Sequence, residues 1–290
     1  MDQAATLRQM AGHKKATPTG RAREKTSGRR PTQYVVSITS GKGGVGKTNI
    51  AANLAYILAG MKKKTLLLDA DCGLANIDLI LGLTPAYNLH HVLKGEKTMR
   101  ETIINGPGGI KILPSSSGVQ EMATLSAEQK LFLQDEFKAL QSPPDILLID
   151  TSAGITENVM YFNMVAVETI VVVTPEPTSL TDAYALIKIL YRRHAKKRFS
   201  LLVNMAKSQD EAREVYLRLA QATNHFLHLA IEHLGYVLYD QNMPQAVKQQ
   251  KLLAELYPGS PSILCLREVA EKLCRPSQND EYEGMIRLFN

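Results

Sequence analysis

The chain has 290 residues, of which 44% are hydrophobic and 21% are charged, and its formal net charge at pH 7 is +6. This composition excludes a fibrous protein and a wholly disordered one, and the length accommodates one large domain or two small ones. The positive excess lies in residues 1–33, whereas residues 34–290 contain equal numbers of acidic and basic residues. Charge therefore gives no argument that the folded body binds nucleic acid.

Cysteine usage and hydropathy predict a cytoplasmic protein. The cysteines are odd in number and no apolar leader segment precedes the body, so a reducing compartment is expected. Cys265 and Cys274 are predicted to be half-buried helix residues, and the cysteine spacing fits no metal site. The longest apolar runs are too short to span a bilayer, so any membrane contact is predicted to be peripheral.

Two different segments precede the body. Residues 1–10 contain good helix formers, with Ala4 and Leu7 on one face of a short helix. Residues 11–33 are basic and rich in Gly, Pro, Thr and Ser, which predicts a flexible linker. From the residues alone, a docking segment and a frayed terminus without a role are equal interpretations of residues 1–10, because so short an isolated helix is marginal in water.

Strand-like and helix-like segments alternate from residue 34 to residue 275, which predicts one α/β domain. We expect a three-layer, doubly wound, mostly parallel sheet flanked by helices, since most strand candidates are apolar almost without alternation. The predicted strands are 34–39, 65–69, 110–113, 145–150, 169–174, 199–203 and 234–238. The predicted helices are 47–60, 126–141, 156–165, 179–195, 209–225, 243–254 and 261–273.

Residues 276–290 change character again. A polar spacer precedes four large apolar residues, which are Met285, Ile286, Leu288 and Phe289. On a helix these side chains would form one apolar face that could lie in a membrane interface. The segment is short and has one cation, so the residues alone slightly favour a terminal helix packed on the body.

A phosphate-binding loop is the strongest signal in the chain. The pattern G-x-x-x-x-G-K-[ST] stands between the first predicted strand and the first predicted helix, as a P-loop requires. We predict that Lys47 reaches the β- and γ-phosphates of ATP or ADP and that Thr48 holds Mg²⁺. The predicted nucleotide-binding residues here are Gly41, Lys42, Gly43, Gly44, Val45, Gly46, Lys47, Thr48 and Asn49.

Carboxylates follow two of the predicted strands, where ligands bind in open α/β sheets. Asp71 lies just after strand 65–69, and Asp150 ends strand 145–150 as a Walker B aspartate does. Both are predicted to act at Mg²⁺ or the attacking water, and Gly154 is predicted to donate its N–H to the γ-phosphate. The competing interpretation is that each aspartate caps the next helix.

The loop resembles the deviant Walker A motif of the MinD/ParA ATPases. The resemblance implies that Lys42 is the signature lysine, which reaches the phosphates of the partner in an ATP-bound homodimer. It also implies that Asp71 orients the hydrolytic water in switch I and that Asp150 belongs to switch II. Adenine contacts are implied for Asn204 and, less directly, Asp240.

A narrower resemblance comes from the N-terminal segment, which is similar to the activator segment of the FlhG branch, regulators of flagellar number and placement. It implies that this segment stimulates an FlhF-type GTPase and that residues 276–290 target the inner face of the cell membrane, at a pole in some cells. Flagellar switch-complex (C-ring) proteins and a transcription regulator are further implied partners. The implied GTPase contacts are Asp2, Gln3, Ala4, Leu7 and Arg8.

The predicted function is a Mg²⁺-dependent ATPase switch that regulates flagella. A ParA-type DNA-partition protein using the basic linker is the alternative, although nucleic acid is an unlikely partner of a neutral body. A metabolic enzyme would need a second substrate site, and no His/Cys/Glu cluster provides one, since His90 and His91 are predicted to be a solvated loop pair. An iron–sulfur ATPase is disfavoured because Cys265 and Cys274 lie far from both switches in the sequence.

Overall fold

The computed structural model describes residues 34–71, 76–115 and 124–275. The predicted N-terminal segment and linker (residues 1–33), Cys72 and the predicted membrane segment (276–290) lie outside the described residues. None of the helices within the described ranges is both long and apolar enough to cross a lipid bilayer.

The strands of the described chain form one eight-stranded sheet in the order β3-β4-β2-β5-β1-β6-β7-β8. All neighbouring pairs are parallel except β3 with β4. All seven predicted strands are present; the two-residue strand β3 is too short to show a sequence pattern. The strands are β1 (Tyr34–Ser40), β2 (Thr65–Ala70), β3 (Ile104–Asn105), β4 (Lys111–Leu113), β5 (Ile146–Ala153), β6 (Glu168–Val173), β7 (Ser200–Ala206) and β8 (Glu232–Leu238).

Helices connect the strands, and every predicted helix has a counterpart. The first helices are α1 (Lys47–Gly60), α2 (Ile77–Leu81), α3 (Leu89–Leu93), α4 (Met99–Thr102), α5 (Ala127–Lys138) and α6 (Glu157–Val165). The remaining helices are α7 (Pro177–His194), α8 (Gln209–Leu227), α9 (Met243–Lys248), α10 (Leu253–Leu256) and α11 (Pro261–Cys274). Cys265 is buried and Cys274 is half-buried in α11.

Two helix predictions need correction. The predicted helix 243–254 is two helices, because the chain turns between them with Gln250 in the left-handed region at φ 54°. His90 and His91 are half-buried in α3 and are not a loop pair. Asn88 starts that helix by accepting the His90 N–H, a cap that makes so short a helix possible.

The core confirms the three layers. In β1, Val36 packs with α1 and α11 on one face of the sheet, whereas Val35 packs with α5 and α6 on the other. Helices α7 and α8 cover the rest of that second face. Because both faces of the central strands are covered, their sequences show no polar alternation.

The topology places three loops at one edge of the sheet. β5 lies between β1 and β2, and all three run parallel. Asp69 of β2 is therefore opposite Asp150 of β5, and Ser40 at the end of β1 is opposite Ala153. This register brings the P-loop and both predicted switch segments to the carboxyl ends of neighbouring strands.

Candidate active site

The P-loop joins β1 to α1 and needs glycine at several positions. Gly44 and Gly46 have φ of 79° and 87°, in the left-handed region that favours glycine. A Cβ on Gly41 would lie 2.2 Å from the backbone carbonyl of Asp182. The N-cap residue of α1 is Gly46, which has no side chain to cap the helix, so the first N–H groups are available to an anion.

Lys47 is a buried cation within this loop, with 8% of its surface exposed. Its Nζ donates to Ser40 Oγ at 2.9 Å, and that hydroxyl donates to the Lys42 carbonyl at 2.6 Å. Burial lowers the pKa of Lys47, while the charges of Asp150 and Asp71 act in the opposite direction. Lys47 therefore lies where it can neutralise phosphate charge.

Asp150 and Thr48 fit a magnesium ion. Asp150 is 1% exposed, and burial raises its pKa to about 7, against the hydrogen bond from the Thr48 hydroxyl and the charge of Lys47. Its Oδ1 has no hydrogen-bond partner among the described residues. A buried, unsatisfied carboxylate oxygen beside a hydroxyl is a donor set suited to Mg²⁺. When bound, Mg²⁺ neutralises charge on the β- and γ-phosphates.

The two aspartates after β2 have different surroundings. Asp69 is buried and accepts backbone N–H groups of Asp71 at 3.0 Å, Asn76 at 3.2 Å and Ile77 at 3.3 Å. Burial and the charge of Asp150 raise the pKa of Asp69 well above its usual range. Asp69 thus holds the start of α2, as a capping aspartate does. Asp71 is half-buried and is close enough to Lys47 and Asp150 to affect the pKa of both.

Lys42 lies in a different environment from Lys47. Its Nζ is 2.6 Å from Glu176 Oε2 and 3.1 Å from Thr178 Oγ1, at the start of α7. The Lys42 and Glu176 side chains are 39% and 62% exposed. Within one chain, the predicted signature lysine is therefore held at the rim of the site.

The structure joins only one of the two predicted adenine residues to the loop. Asn204 lies within β7, and its Nδ2 donates to the Val45 carbonyl at 2.8 Å. Asp240 instead accepts from the Asn242 N–H at 2.9 Å and from Ser262 Oγ at 2.7 Å, which connects the segment after β8 to the start of α11. The adenine roles of both residues stay predictions.

Other predicted and overlooked contacts surround the loop. The Gly154 N–H donates to the Ser40 carbonyl at 3.0 Å, so its predicted phosphate bond would have to replace this one. Sequence reasoning missed Ser40, Glu176 and Thr178 as site residues. The rule that polar residues at strand ends reach the ligand edge could have found them, because Ser40 ends β1 and the other two follow β6. Across the described residues, no group of three or more His, Cys, Asp or Glu could hold another metal ion.

Comparison with known proteins shows which sequences and structures the chain resembles. A family profile described as an AAA domain matches residues 33–203. The chain is 44% identical to the antiactivator FleN of Pseudomonas aeruginosa, over 82% of this chain and 85% of FleN. It is 36% identical to the flagellum site-determining protein YlxH of Helicobacter pylori, over 77% of this chain and 76% of YlxH.

A solved structure matches the fold over most of its length. MinD in the MinC:MinD cell division complex of Aquifex aeolicus superimposes with a TM-score of 0.70 and 27% identity, covering 84% of this chain and 96% of that one. With its P-loop, its buried Lys47 and Asp150 and these relatives, the chain belongs to the MinD/ParA family of P-loop ATPases.

Proposed function

We propose that this ATPase is a nucleotide-dependent dimerisation switch that regulates the number and placement of bacterial flagella. The flagellar part of the proposal is supported by the relatives, since FleN is named an antiactivator and YlxH a flagellum site-determining protein. Both alignments cover at least three quarters of each relative. The switch part of the proposal rests on the site itself.

The single observation that carries the switch is the different placement of the two loop lysines. Lys47 is buried inside its own site, whereas Lys42 is partly exposed and paired with Glu176 at the rim. An exposed ion pair contributes at most about 1 kcal/mol, so Lys42 can leave Glu176 at little cost. In the proposal, Lys42 then binds the phosphates held by a second copy, and ATP joins the two copies face to face.

Hydrolysis would reverse the switch. In the proposal, the Asp71 carboxylate orients the attacking water, while Lys47 and the loop N–H groups stabilise charge on the phosphates. Thr48 and Asp150 would hold Mg²⁺ beside them. In the proposal, catalysis consists of positioning and charge neutralisation. Slow turnover would then set how long the ATP-bound dimer lasts.

Size-exclusion chromatography with light scattering tests the switch. The wild-type chain with Mg²⁺-ATP is expected to elute as a dimer and with Mg²⁺-ADP as a monomer. Lys42→Ala should bind nucleotide yet stay monomeric, because the cross-subunit cation is missing. An ATP-dependent dimer of Lys42→Ala would contradict the cross-subunit role.

Asp71→Ala should separate hydrolysis from dimerisation. Loss of the carboxylate that orients the water is expected to slow turnover roughly 100-fold or more, while nucleotide binding is retained. The variant should therefore stay dimeric in Mg²⁺-ATP long after the wild type has returned to monomer. Turnover at the wild-type rate would rule out the role assigned to Asp71.

The terminal segments are proposed to be the outputs of the switch. Residues 1–10 would bind and stimulate an FlhF-type GTPase, and residues 276–290 would bring the dimer to the membrane, where two tails combine by avidity. Switch-complex proteins and a transcription regulator are further proposed partners. A pull-down with Gln3→Ala should lose the GTPase, whereas Gln9→Ala, the matched change outside the proposed contact set, should retain it.

A further inference from the structure

A second cleft lies at the opposite end of the sheet from the nucleotide site. It has a volume of about 550 Å³ and lies among β2, β4, α4 and the loop before β5. This volume is within the range of small-molecule sites, which is about 300–1,000 Å³. Thr65 and Leu66 line it at the start of β2, whereas Asp69 and Asp71 lie at the other end of that strand. A six-residue strand is about 20 Å long, so the two sites are distinct.

Three cations line this cleft, and they come from separate parts of the chain: Lys64, Arg100 and Lys111. Arg100 Nη1 donates to Gln141 Oε1 at 3.0 Å, and Lys111 Nζ donates to Asn105 Oδ1. Both acceptors are neutral amides. Through the residues that the structure describes, none of the three cations forms an ion pair. The cleft thus gathers three positive charges without a paired carboxylate.

The fold holds these cations in place. The parallel register of β2 and β4 puts Lys111 beside Leu66. Arg100 is on α4, which begins with a capping box between Thr98 and Glu101. The Lys64 backbone N–H donates to the carboxylate of Asp145 at 2.8 Å, and this hydrogen bond holds the turn that carries Lys64. These contacts fix the backbone positions from which the three charged side chains extend.

The remaining lining combines apolar and polar residues. Leu66, Ile103 and Leu140 supply apolar surface, and Thr65 and Ser142 supply hydroxyl groups. A site of this kind accommodates an anionic head and an apolar body in one molecule. Inorganic ions alone would leave the apolar surface uncovered.

We propose that this cleft binds a phosphate-bearing organic molecule. A guanidinium and two ammonium groups match the multiple oxygens and the charge of a phosphate ester better than a carboxylate, which would leave two cations unmatched. The phosphate can belong to the headgroup of an anionic phospholipid or to a free phosphate ester. The site is independent of the proposed dimerisation, since its residues take no part in the P-loop.

The test uses the full chain saturated with Mg²⁺-ADP, so that the P-loop is occupied. One arm measures sedimentation with phosphatidylcholine vesicles that contain or lack phosphatidylglycerol, and the other measures calorimetric binding of glycerol 3-phosphate. The variant is the triple change Lys64→Gln, Arg100→Gln and Lys111→Gln. The matched control removes three exposed cations from α7 and α8 by Lys188→Gln, Arg213→Gln and Arg218→Gln.

We expect the cleft variant to weaken binding about fivefold for each cation, or on the order of 100-fold in total, in whichever arm the wild type binds. The control should retain wild-type binding, and both variants should retain ATPase activity and the wild-type melting temperature. Binding in the vesicle arm alone identifies a lipid headgroup, and binding in the calorimetric arm identifies a soluble ester. Equal losses in the two variants, or no binding by the wild type in either arm, would overturn the proposal.

Discussion

The two ends of the central strands carry charges in opposite ways. At the carboxyl ends, Lys47, Asp69 and Asp150 are buried, and the charge of Asp150 acts on both of the others. At the amino ends, Lys64, Arg100 and Lys111 are exposed around an open cleft. Buried charges cost free energy unless they are compensated, whereas exposed charges keep their hydration. Changes at the carboxyl ends should therefore have much larger effects than matched changes at the amino ends.

The largest difference should appear in hydrolysis. Asp150→Asn removes the charge that would hold Mg²⁺, and we expect ATP turnover to fall roughly 100- to 10,000-fold, because a metal ion supplies several kcal/mol of transition-state stabilisation. The matched change at the other end, Lys64→Gln, should leave turnover within about twofold. Steady-state phosphate release measures both. Comparable losses of ATP turnover in the two variants would contradict the expectation that changes at the carboxyl ends have the larger effect.

The pH dependence of stability should report the buried carboxylate. Burial raises the pKa of Asp150 from 3.8 to about 7, so the folded state binds its proton more tightly than the unfolded state does. The free energy of unfolding without nucleotide should therefore fall as pH rises from about 4 to about 7, by up to about 4 kcal/mol from this group. Asp69, whose pKa is also raised, acts in the same direction.

Urea unfolding at a series of pH values measures this dependence. The amide side chain at this position in the Asp150→Asn variant cannot ionise, so the free energy of unfolding should depend less steeply on pH. The variant should therefore be more stable than the wild type at pH 7 to 8. Lys64→Gln should keep the wild-type slope. A steep slope that survives unchanged in Asp150→Asn would show that another group is responsible.

Backbone packing at the carboxyl ends offers a sharper contrast within one loop. A Cβ on Gly41 would overlap the Asp182 carbonyl, whereas a Cβ on Gly43 would meet nothing within 4 Å. Gly41→Ala should therefore lower the free energy of unfolding by about 3 kcal/mol or more, and Gly43→Ala by less than about 1 kcal/mol. Thermal unfolding of both variants decides the matter, and similar melting temperatures would contradict the tight packing of Gly41.

The smallest effect is expected at the rim, where the carboxyl-end site becomes exposed. Glu176→Gln removes the partner that holds Lys42 in one chain, which should lower the ATP concentration at half-dimerisation by about two- to fivefold. Glu214→Gln breaks a similarly exposed ion pair with Arg218 on α8 and serves as the control. Light scattering across an ATP titration measures both variants. A higher ATP concentration at half-dimerisation for Glu176→Gln than for the wild type would contradict the proposed role of this contact.

The sequence predicted the parts of the fold that depend on local chemistry. All seven longer strands and the P-loop could be located because apolar runs, glycines and a Lys-Thr pair each act within a few residues. The split of helix 243–254 at Gln250 and the helical state of His90 and His91 were not predictable. There the outcome depends on a single left-handed residue and on a cap from Asn88, which give no periodic pattern.

By itself, the sequence predicted a nucleotide site around Gly41–Thr48 and Asp150, because a P-loop binds phosphate through consecutive backbone groups and the ends of parallel strands meet at one edge. Only the tertiary structure decided which charges face one another. It pairs Lys42 with Glu176, 134 residues later, and it brings the Ser262 hydroxyl to the carboxylate of Asp240 as a hydrogen-bond donor. It also gathers Lys64, Arg100 and Lys111 around one cleft. Such contacts depend on strand order and register, which bring together residues that share no local pattern.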